Sequence, residues 1–167
     1  TNHVHLVVCP HGHESLARTI REVHGNYARV LHRANGWEGH LWANRYYSSP
    51  LDLAHLWAAV RYVERNPVRA GLVETAERYP WSSAAAHCGL APDGPLSPQR
   101  PFPGTISNWQ SWLSGDCDES VDRSIRMCTA AGRPAGSPEF VAELEQILGR
   151  NLTPRPQGRP RNRAGSA

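Results

Sequence analysis

The chain of 167 residues is 40% hydrophobic and contains six Trp, so it can form the core of an ordinary domain and is not a wholly disordered protein. It has no apolar run of membrane-spanning length, no signal-peptide pattern and no C-x-x-C pair among its four Cys, so we expect a cytoplasmic protein with reduced thiols and no membrane partner. The net charge is +3 and all 18 basic residues are Arg, whose planar guanidinium suits phosphate oxygens and favours a nucleic-acid partner.

The first predicted element is a strand over residues 3–9. Successive side chains of a strand alternate between its two faces, so His3 and His5 share one face while Val4 and Leu6 lie on the other. Two His on one face of a rigid strand are a candidate pair of metal ligands. The alternative interpretation is the polar face of a half-exposed strand.

Residues 14–33 are predicted to form an amphipathic helix, because apolar residues recur every three or four positions. Its polar side carries a stripe of four arginines, Arg18, Arg21, Arg29 and Arg33. This stripe is either a solvated face or a track for the phosphates of a nucleic acid. Asn35-Gly36 is expected to end the helix, and residues 39–49 are predicted to be extended.

A second helix is predicted from Pro50 to Asn66, because Asp52 suits its first turn and Asn66 precedes a proline. Positions 55, 59, 62 and 66 are spaced by four, three and four residues, so they share one face. Tyr62 and Asn66 are therefore expected on the polar side of the helix and outside the core. Glu64 is expected to pair with Arg61 or Arg69 near the end of the helix.

The second half of the chain is predicted to be helical, over residues 75–88, 107–131 and 137–148, with His87 at the surface. Five Arg and no acidic residue make residues 150–167 a basic, disordered tail, in which Arg155, Arg159 and Arg161 are candidate DNA contacts. The predicted organisation is a domain over 1–90, a Pro-rich linker over 91–105, a helical extension over 106–149 and the tail over 150–167.

The strand and the second helix together suggest a site for phosphoryl transfer. His3, His5 and Asn66 would hold a divalent ion that keeps open positions for phosphate oxygens. Tyr62 would attack phosphorus and form a covalent phosphotyrosine. Mixed imidazole and amide ligation suits Mn²⁺ better than Mg²⁺.

A zinc site is the alternative use of the same histidines. Cys9, His11 and His13, with His3 or His5, are residue types that bind zinc. Pro10 and Gly12, which favour a turn, stand between these residues.

Three stretches of residues 1–90 resemble the REP-associated tyrosine transposases, a group within the IS200-like, single-tyrosine HUH transposases. The first stretch is Asn2-His3-Val4-His5 with the apolar run behind it, and the second is Arg61–Gly71 around Tyr62. The third is Tyr79-Pro80-Trp81-Ser82-Ser83. Their order and spacing make the resemblance specific.

The resemblance implies an α+β fold, in which a ferredoxin-like antiparallel sheet is covered by helices. Its first strands would precede residue 1, so we expect an incomplete sheet here. This expectation agrees with the sequence pattern, which predicts only two extended segments before residue 90, over 3–9 and 39–49. Tyr62 would be the nucleophile, and His3, His5 and Asn66 would bind Mg²⁺ or Mn²⁺.

The implied substrate is single-stranded DNA beside a hairpin, which a monomer or homodimer nicks and rejoins through a 5′-phosphotyrosine during DNA transposition. The alternative is a non-catalytic nucleic-acid-binding module of the same fold.

Overall fold

The computed structural model describes residues 3–94, 96–98, 104–116 and 118–153. Within these residues the chain is helical. The α-helices are α1 (Ser15–Asn35), α2 (Leu53–Arg69), α3 (Ala84–His87), α4 (Trp109–Ser114), α5 (Glu119–Ala131) and α6 (Pro138–Leu148), and a 3-10 helix spans Ala76–Arg78.

The predicted ferredoxin-like sheet is wrong, because the described residues form no β-strand. A strand is stable only when a second strand accepts and donates its backbone hydrogen bonds. In the described part of the chain, backbone pairing of this kind is confined to an isolated bridge between Leu51 and Ala135. Residues 3–10 are not helical, and apolar side chains such as Val4 and Leu6 are exposed, so the alternating pattern marks no strand in this structure.

Both long helices near the N-terminus form close to their predicted positions. α1 ends as expected at Gly36, which takes a left-handed conformation with φ 65°. α2 begins after Asp52, whose carboxylate accepts a hydrogen bond from the His55 backbone N–H and caps the helix. The prediction that α2 ends at Asn66 is wrong, because the helix continues through Pro67 to Arg69.

The C-terminal helices follow the predicted pattern with two breaks. The helical region predicted over 75–88 consists of the 3-10 helix and α3, with residues 79–83 outside both. The helix predicted over 107–131 is divided into α4 and α5. The helix predicted over 137–148 is confirmed, and the Ser137 side chain caps it by accepting from the Phe140 backbone N–H. Residues 95 and 99–103 of the predicted linker and residues 154–167 of the predicted tail lie outside the described residues.

α2 lies at the centre of the packing and contributes to both sides of the molecule. On one side Ala59 and Tyr62 of α2 pack with Ile125 of α5 in a buried cluster. On another side the 3-10 helix, α3 and α4 bury Ala76, Ala84 and Leu113 around partly buried Val68 of α2. Residues 106–149 therefore supply part of the core in which Tyr62 is buried.

One carboxylate joins the beginnings of two helices. Asp52 Oδ1 accepts from the His55 backbone N–H at 2.8 Å, and Asp52 Oδ2 accepts from the Ser137 backbone N–H, before α6, at 2.7 Å. Beside it the Ala135 N–H donates to the Pro50 carbonyl at 2.8 Å. These bonds fix the start of α6 against the start of α2.

Among the described helices none is both long enough and apolar enough to cross a membrane.

Candidate functional site

His3 and His5 form a close pair near the N-terminus. Their Nε2 atoms are 3.1 Å apart, and their ring planes are perpendicular. Burial lowers the pKa of His5 below its ordinary value of 6.5, and the neighbouring His3 lowers it further. His5 is therefore neutral at neutral pH, and the two Nε2 atoms share a hydrogen bond in which one ring donates and the other accepts.

The spacing of the two nitrogens fits a shared divalent ion. Two nitrogen ligands about 2.0–2.2 Å from one ion, at right angles, are about 2.8–3.1 Å apart. The observed 3.1 Å lies within this range. The pair thus has the residue type and the separation of two adjacent ligands of one ion.

Tyr62 lies against this histidine pair. Its ring centroid is 5.7 Å from that of His5, and the two planes meet at 82°. The expectation that Tyr62 lies outside the core is wrong: the residue is only 6% exposed, because Ile125 of α5 packs against it. The sequence pattern identified the face of α2 that carries Tyr62 but not the helix that covers it.

Asn66 lies one helical turn beyond Tyr62 and is half-buried. Its backbone carbonyl accepts a hydrogen bond from the Ala70 N–H at 2.9 Å. The role of its side-chain amide as a metal ligand stays a prediction. No three His, Cys, Asp or Glu side chains in the described part of the chain are grouped so that they could hold a metal ion. The alternative zinc site of Cys9, His11 and His13 with a further His is therefore not formed.

Arg69 was predicted only as a possible partner of Glu64, and it lies instead beside Tyr62. Its guanidinium carbon is 4.7 Å from the Tyr62 ring centroid, a cation–π contact. Its Nη1 is 3.4 Å from Asp122 Oδ2 on α5. Positions 62, 66 and 69 continue the four- and three-residue spacing, so the helical face that identified Asn66 also indicates Arg69.

Asp122 is the acidic partner at this contact. Burial raises the pKa of its carboxyl above the ordinary value, and the charges of Arg65 and Arg61 reduce that increase. Arg61 and Arg65 themselves both donate to the Gly115 carbonyl, at 2.7 and 2.6 Å. Arginines of α2 thus hold the segment between α4 and α5.

A buried polar cluster lies on the other side of α2. Glu64 is 1% exposed, and its Oε1 accepts from Ser83 Oγ and contacts His87 Nδ1 at 2.5 Å. His87 stacks on Trp109, with centroids 4.4 Å apart and planes 12° apart. The expectations of a surface His87 and of a Glu64 paired with Arg are therefore wrong, because α3 brings the Tyr79–Ser83 motif against α2.

The predicted stripe of four arginines on α1 is exposed to solvent. Arg18, Arg21, Arg29 and Arg33 are all exposed on α1. Arg29 also donates to Asn26 on the same helix at 2.7 Å. Arg155, Arg159 and Arg161 lie outside the described residues.

Two clefts are open to solvent near the C-terminal helices. The larger, of about 380 Å³, is lined mainly by residues of α5, α6 and the segment between them, and contains none of the candidate site residues. The smaller, of about 230 Å³, includes Arg69 and therefore adjoins Tyr62.

Residues 1–66 match a family model described as IS200-like transposase. The match includes His3, His5, Tyr62 and Asn66, and it ends before the Tyr79–Ser83 motif. No curated protein and no solved structure is significantly similar to the chain.

Proposed function

We propose that this chain, whose residues 1–66 match the IS200-like transposase family model, acts in DNA transposition as a single-strand DNA endonuclease with Tyr62 as its nucleophile. Its substrate is single-stranded DNA beside a hairpin. The observation that carries the proposal is the edge contact of His5 with Tyr62, at 5.7 Å between centroids, beside the His3–His5 pair.

The reaction exchanges one phosphodiester for another. The phenol oxygen of Tyr62 attacks phosphorus, the new O–P bond forms, and the bond from phosphorus to the 3′ oxygen breaks. The phenol proton passes to solvent, and the leaving 3′ oxygen takes up a proton from solvent. Phosphorus remains on the 5′ end of the DNA as phosphotyrosine, so the reverse reaction rejoins strands without an external energy source.

The neighbours of Tyr62 orient it for this attack. The Arg69 guanidinium lies over the Tyr62 ring at 4.7 Å, and the His5 ring packs against the same ring at an interplanar angle of 82°. Both contacts limit rotation of the ring and reduce the entropy lost on reaching the transition state.

A divalent ion is the second component of the proposal. His3, His5 and the amide oxygen of Asn66 would hold Mn²⁺ or Mg²⁺, which supplies positive charge to the phosphate under attack. The 3.1 Å separation of the two imidazole nitrogens and the neutral state of His5 support this assignment.

A second candidate function is a binding module that engages DNA without cutting it. The burial of Tyr62, at 6% exposure, favours this alternative, because a nucleophile must reach phosphorus. The exposed arginines of α1 serve either function, since phosphate contacts do not require catalysis.

The test is a denaturing gel of 5′- and 3′-labelled hairpin oligonucleotides incubated with the protein in Mn²⁺ or Mg²⁺. We expect the wild type to form a covalent adduct and Tyr62→Phe to form none while binding DNA with unchanged affinity, because the substitution removes only the phenol oxygen. Tyr47→Phe, at a tyrosine that is 63% exposed, is the matched control and should behave as wild type.

Other outcomes decide between the alternatives. Binding without an adduct in the wild type would favour the non-catalytic module. An adduct that persists in Tyr62→Phe would exclude Tyr62 as nucleophile and make Tyr46 and Tyr47 the next candidates.

A further inference from the structure

The cleft of about 230 Å³ beside Tyr62 is lined mainly by residues that have no role in the proposed reaction. It is lined only by charged residues, three arginines and two acids: Arg69, Arg123, Arg126, Glu119 and Asp122. Arg69 belongs to α2, and the other four belong to α5. The cleft is therefore built between the helix that carries Tyr62 and a helix beyond the family match.

Arg69 connects the cleft to the candidate nucleophile. Its guanidinium lies over the Tyr62 ring at 4.7 Å, and the ion pair with Asp122, at 3.4 Å, fixes it at the cleft wall. A group bound in the cleft is thus separated from Tyr62 by a single side chain.

Arg123 and Arg126 give the cleft its capacity for an anion. They are three residues apart on α5, so they share a helical face, and both are exposed. Guanidinium groups donate in pairs to phosphate oxygens and form their strongest hydrogen bonds with such charged acceptors. The cleft has room for roughly seven water molecules, which is more than the five heavy atoms of a phosphate group need.

We infer that this cleft binds a backbone phosphate of the single-stranded DNA, adjacent to the phosphate that Tyr62 attacks. The inference rests on the proposed function and adds a substrate subsite to it. Arg123 and Arg126 contact the phosphate, and Arg69 separates this subsite from Tyr62. α5 then has two roles, since it also packs Ile125 against Tyr62.

The competing interpretation is that the charges of the cleft only pair along α5. Glu119 with Arg123, and Asp122 with Arg126, have the four-residue spacing of intrahelical ion pairs. Such pairs would stabilise the helix and bind no phosphate.

A thermodynamic cycle between protein and DNA separates the two interpretations. In a Tyr62→Phe background, which cannot cut, the affinity is measured for oligonucleotides in which one phosphate at a time is replaced by an uncharged methylphosphonate. We expect one position next to the cleavage position at which the replacement weakens binding by roughly three- to tenfold. Adding Arg126→Gln should weaken binding to the unmodified oligonucleotide by a similar factor and should have no further effect at that position.

Arg78→Gln is the matched control, because it removes one arginine that pairs with Glu74 on the exposed surface. Its effect should be the same for every oligonucleotide. Additive effects of Arg126→Gln at every position, as for the control, would overturn the inference.

A DNA-independent measurement keeps the inference testable if the oligonucleotides bind poorly. Inorganic phosphate stabilises proteins generally over chloride, but at equal ionic strength it should raise the melting temperature of the wild type more than that of Arg126→Gln, because only the wild type also binds it in the cleft. An equal rise in melting temperature for wild type and Arg126→Gln, with no coupling to any phosphate of the DNA, would overturn the inference and leave only ion pairs along α5. Coupling between Arg126 and one DNA phosphate, without a covalent adduct in the wild type, would support the subsite and refute the proposed reaction. A covalent adduct without this coupling would support the reaction and refute the subsite.

Discussion

At the scale of single residues, Glu64 is the most deeply buried residue with an ionisable side chain in the described core. A buried carboxylate is tolerated only when hydrogen bonds replace its hydration. Ser83 donates one of these bonds, and His87 contacts the same oxygen at 2.5 Å. The second serine of the Tyr79–Ser83 motif therefore has a structural task in this chain, which is to hold α3 against α2.

Replacing Ser83 by Ala should lower the free energy of unfolding by about 1–3 kcal/mol, because the buried Glu64 oxygen loses one of its two polar contacts. Urea denaturation measures the change. Ser124→Ala, at an exposed position of α5, is the control and should change stability by less than about 0.5 kcal/mol. Equal stabilities of the two variants would contradict the structural task assigned to Ser83.

At the scale of helices, Asp52 determines how α2 and α6 begin. Burial alone would raise the pKa of its carboxyl, but hydrogen bonds from the Ser137 N–H and from the ring and N–H of His55 outweigh this effect and lower the pKa below its ordinary value. The ionised form is thus favoured in the folded chain. The resulting stabilisation is complete above the unfolded pKa, near ~3.9, and is lost as the pH falls through the lower folded value.

Asp52→Asn should lower the free energy of unfolding at pH 7 by about 1–2 kcal/mol, because an amide has one acceptor oxygen and cannot serve both helices. The difference from wild type should shrink as the pH falls below about 4, where the wild-type carboxylate takes up its proton. Denaturation curves between pH 7 and pH 2 measure it. A difference that stays constant over this range would show that the charge of Asp52 does not stabilise the fold.

The helices were predictable because their signals are local. Apolar periodicity, Gly36 and the Ser137 cap each act within a few residues of where they stand. The burial of Tyr62 was not predictable in this way, since it depends on Ile125, which is 63 residues away in sequence. The prediction of a ferredoxin-like sheet was wrong for the same reason. Strand pairing is non-local, and an alternating sequence pattern does not provide the second strand.

At the scale of the whole molecule, the arrangement of charge governs affinity for DNA. Residues 1–73 carry eight Arg against five acids and residues 150–167 carry five Arg without acids, whereas residues 74–149 carry ten acids against five Arg. Binding is therefore expected to be driven by release of counterions from phosphates at the two basic ends.

Affinity for single-stranded DNA should fall steeply with salt, and deletion of residues 150–167 should make the dependence shallower. For every phosphate that the shortened chain no longer neutralises, the slope of log affinity against log salt should decrease by about 0.7. Fluorescence anisotropy at several salt concentrations measures it, with Arg78→Gln as the control for removal of an arginine outside the basic ends. An unchanged slope after the deletion would assign the tail no part in binding.

The uneven burial of the helices has a spectroscopic consequence. Three of the six tryptophans, Trp57, Trp109 and Trp112, pack edge to face where α2 meets α4, whereas α1, the longest helix described, contains no buried residue. Trp42 stacks on His24 of α1, so tryptophan fluorescence reports on the region around α2 and α4 more than on α1, whereas far-ultraviolet circular dichroism includes a large signal from α1. With little apolar contact to hold it, α1 should melt first, so the circular dichroism midpoint should lie below the fluorescence midpoint and a single two-state transition should not describe both.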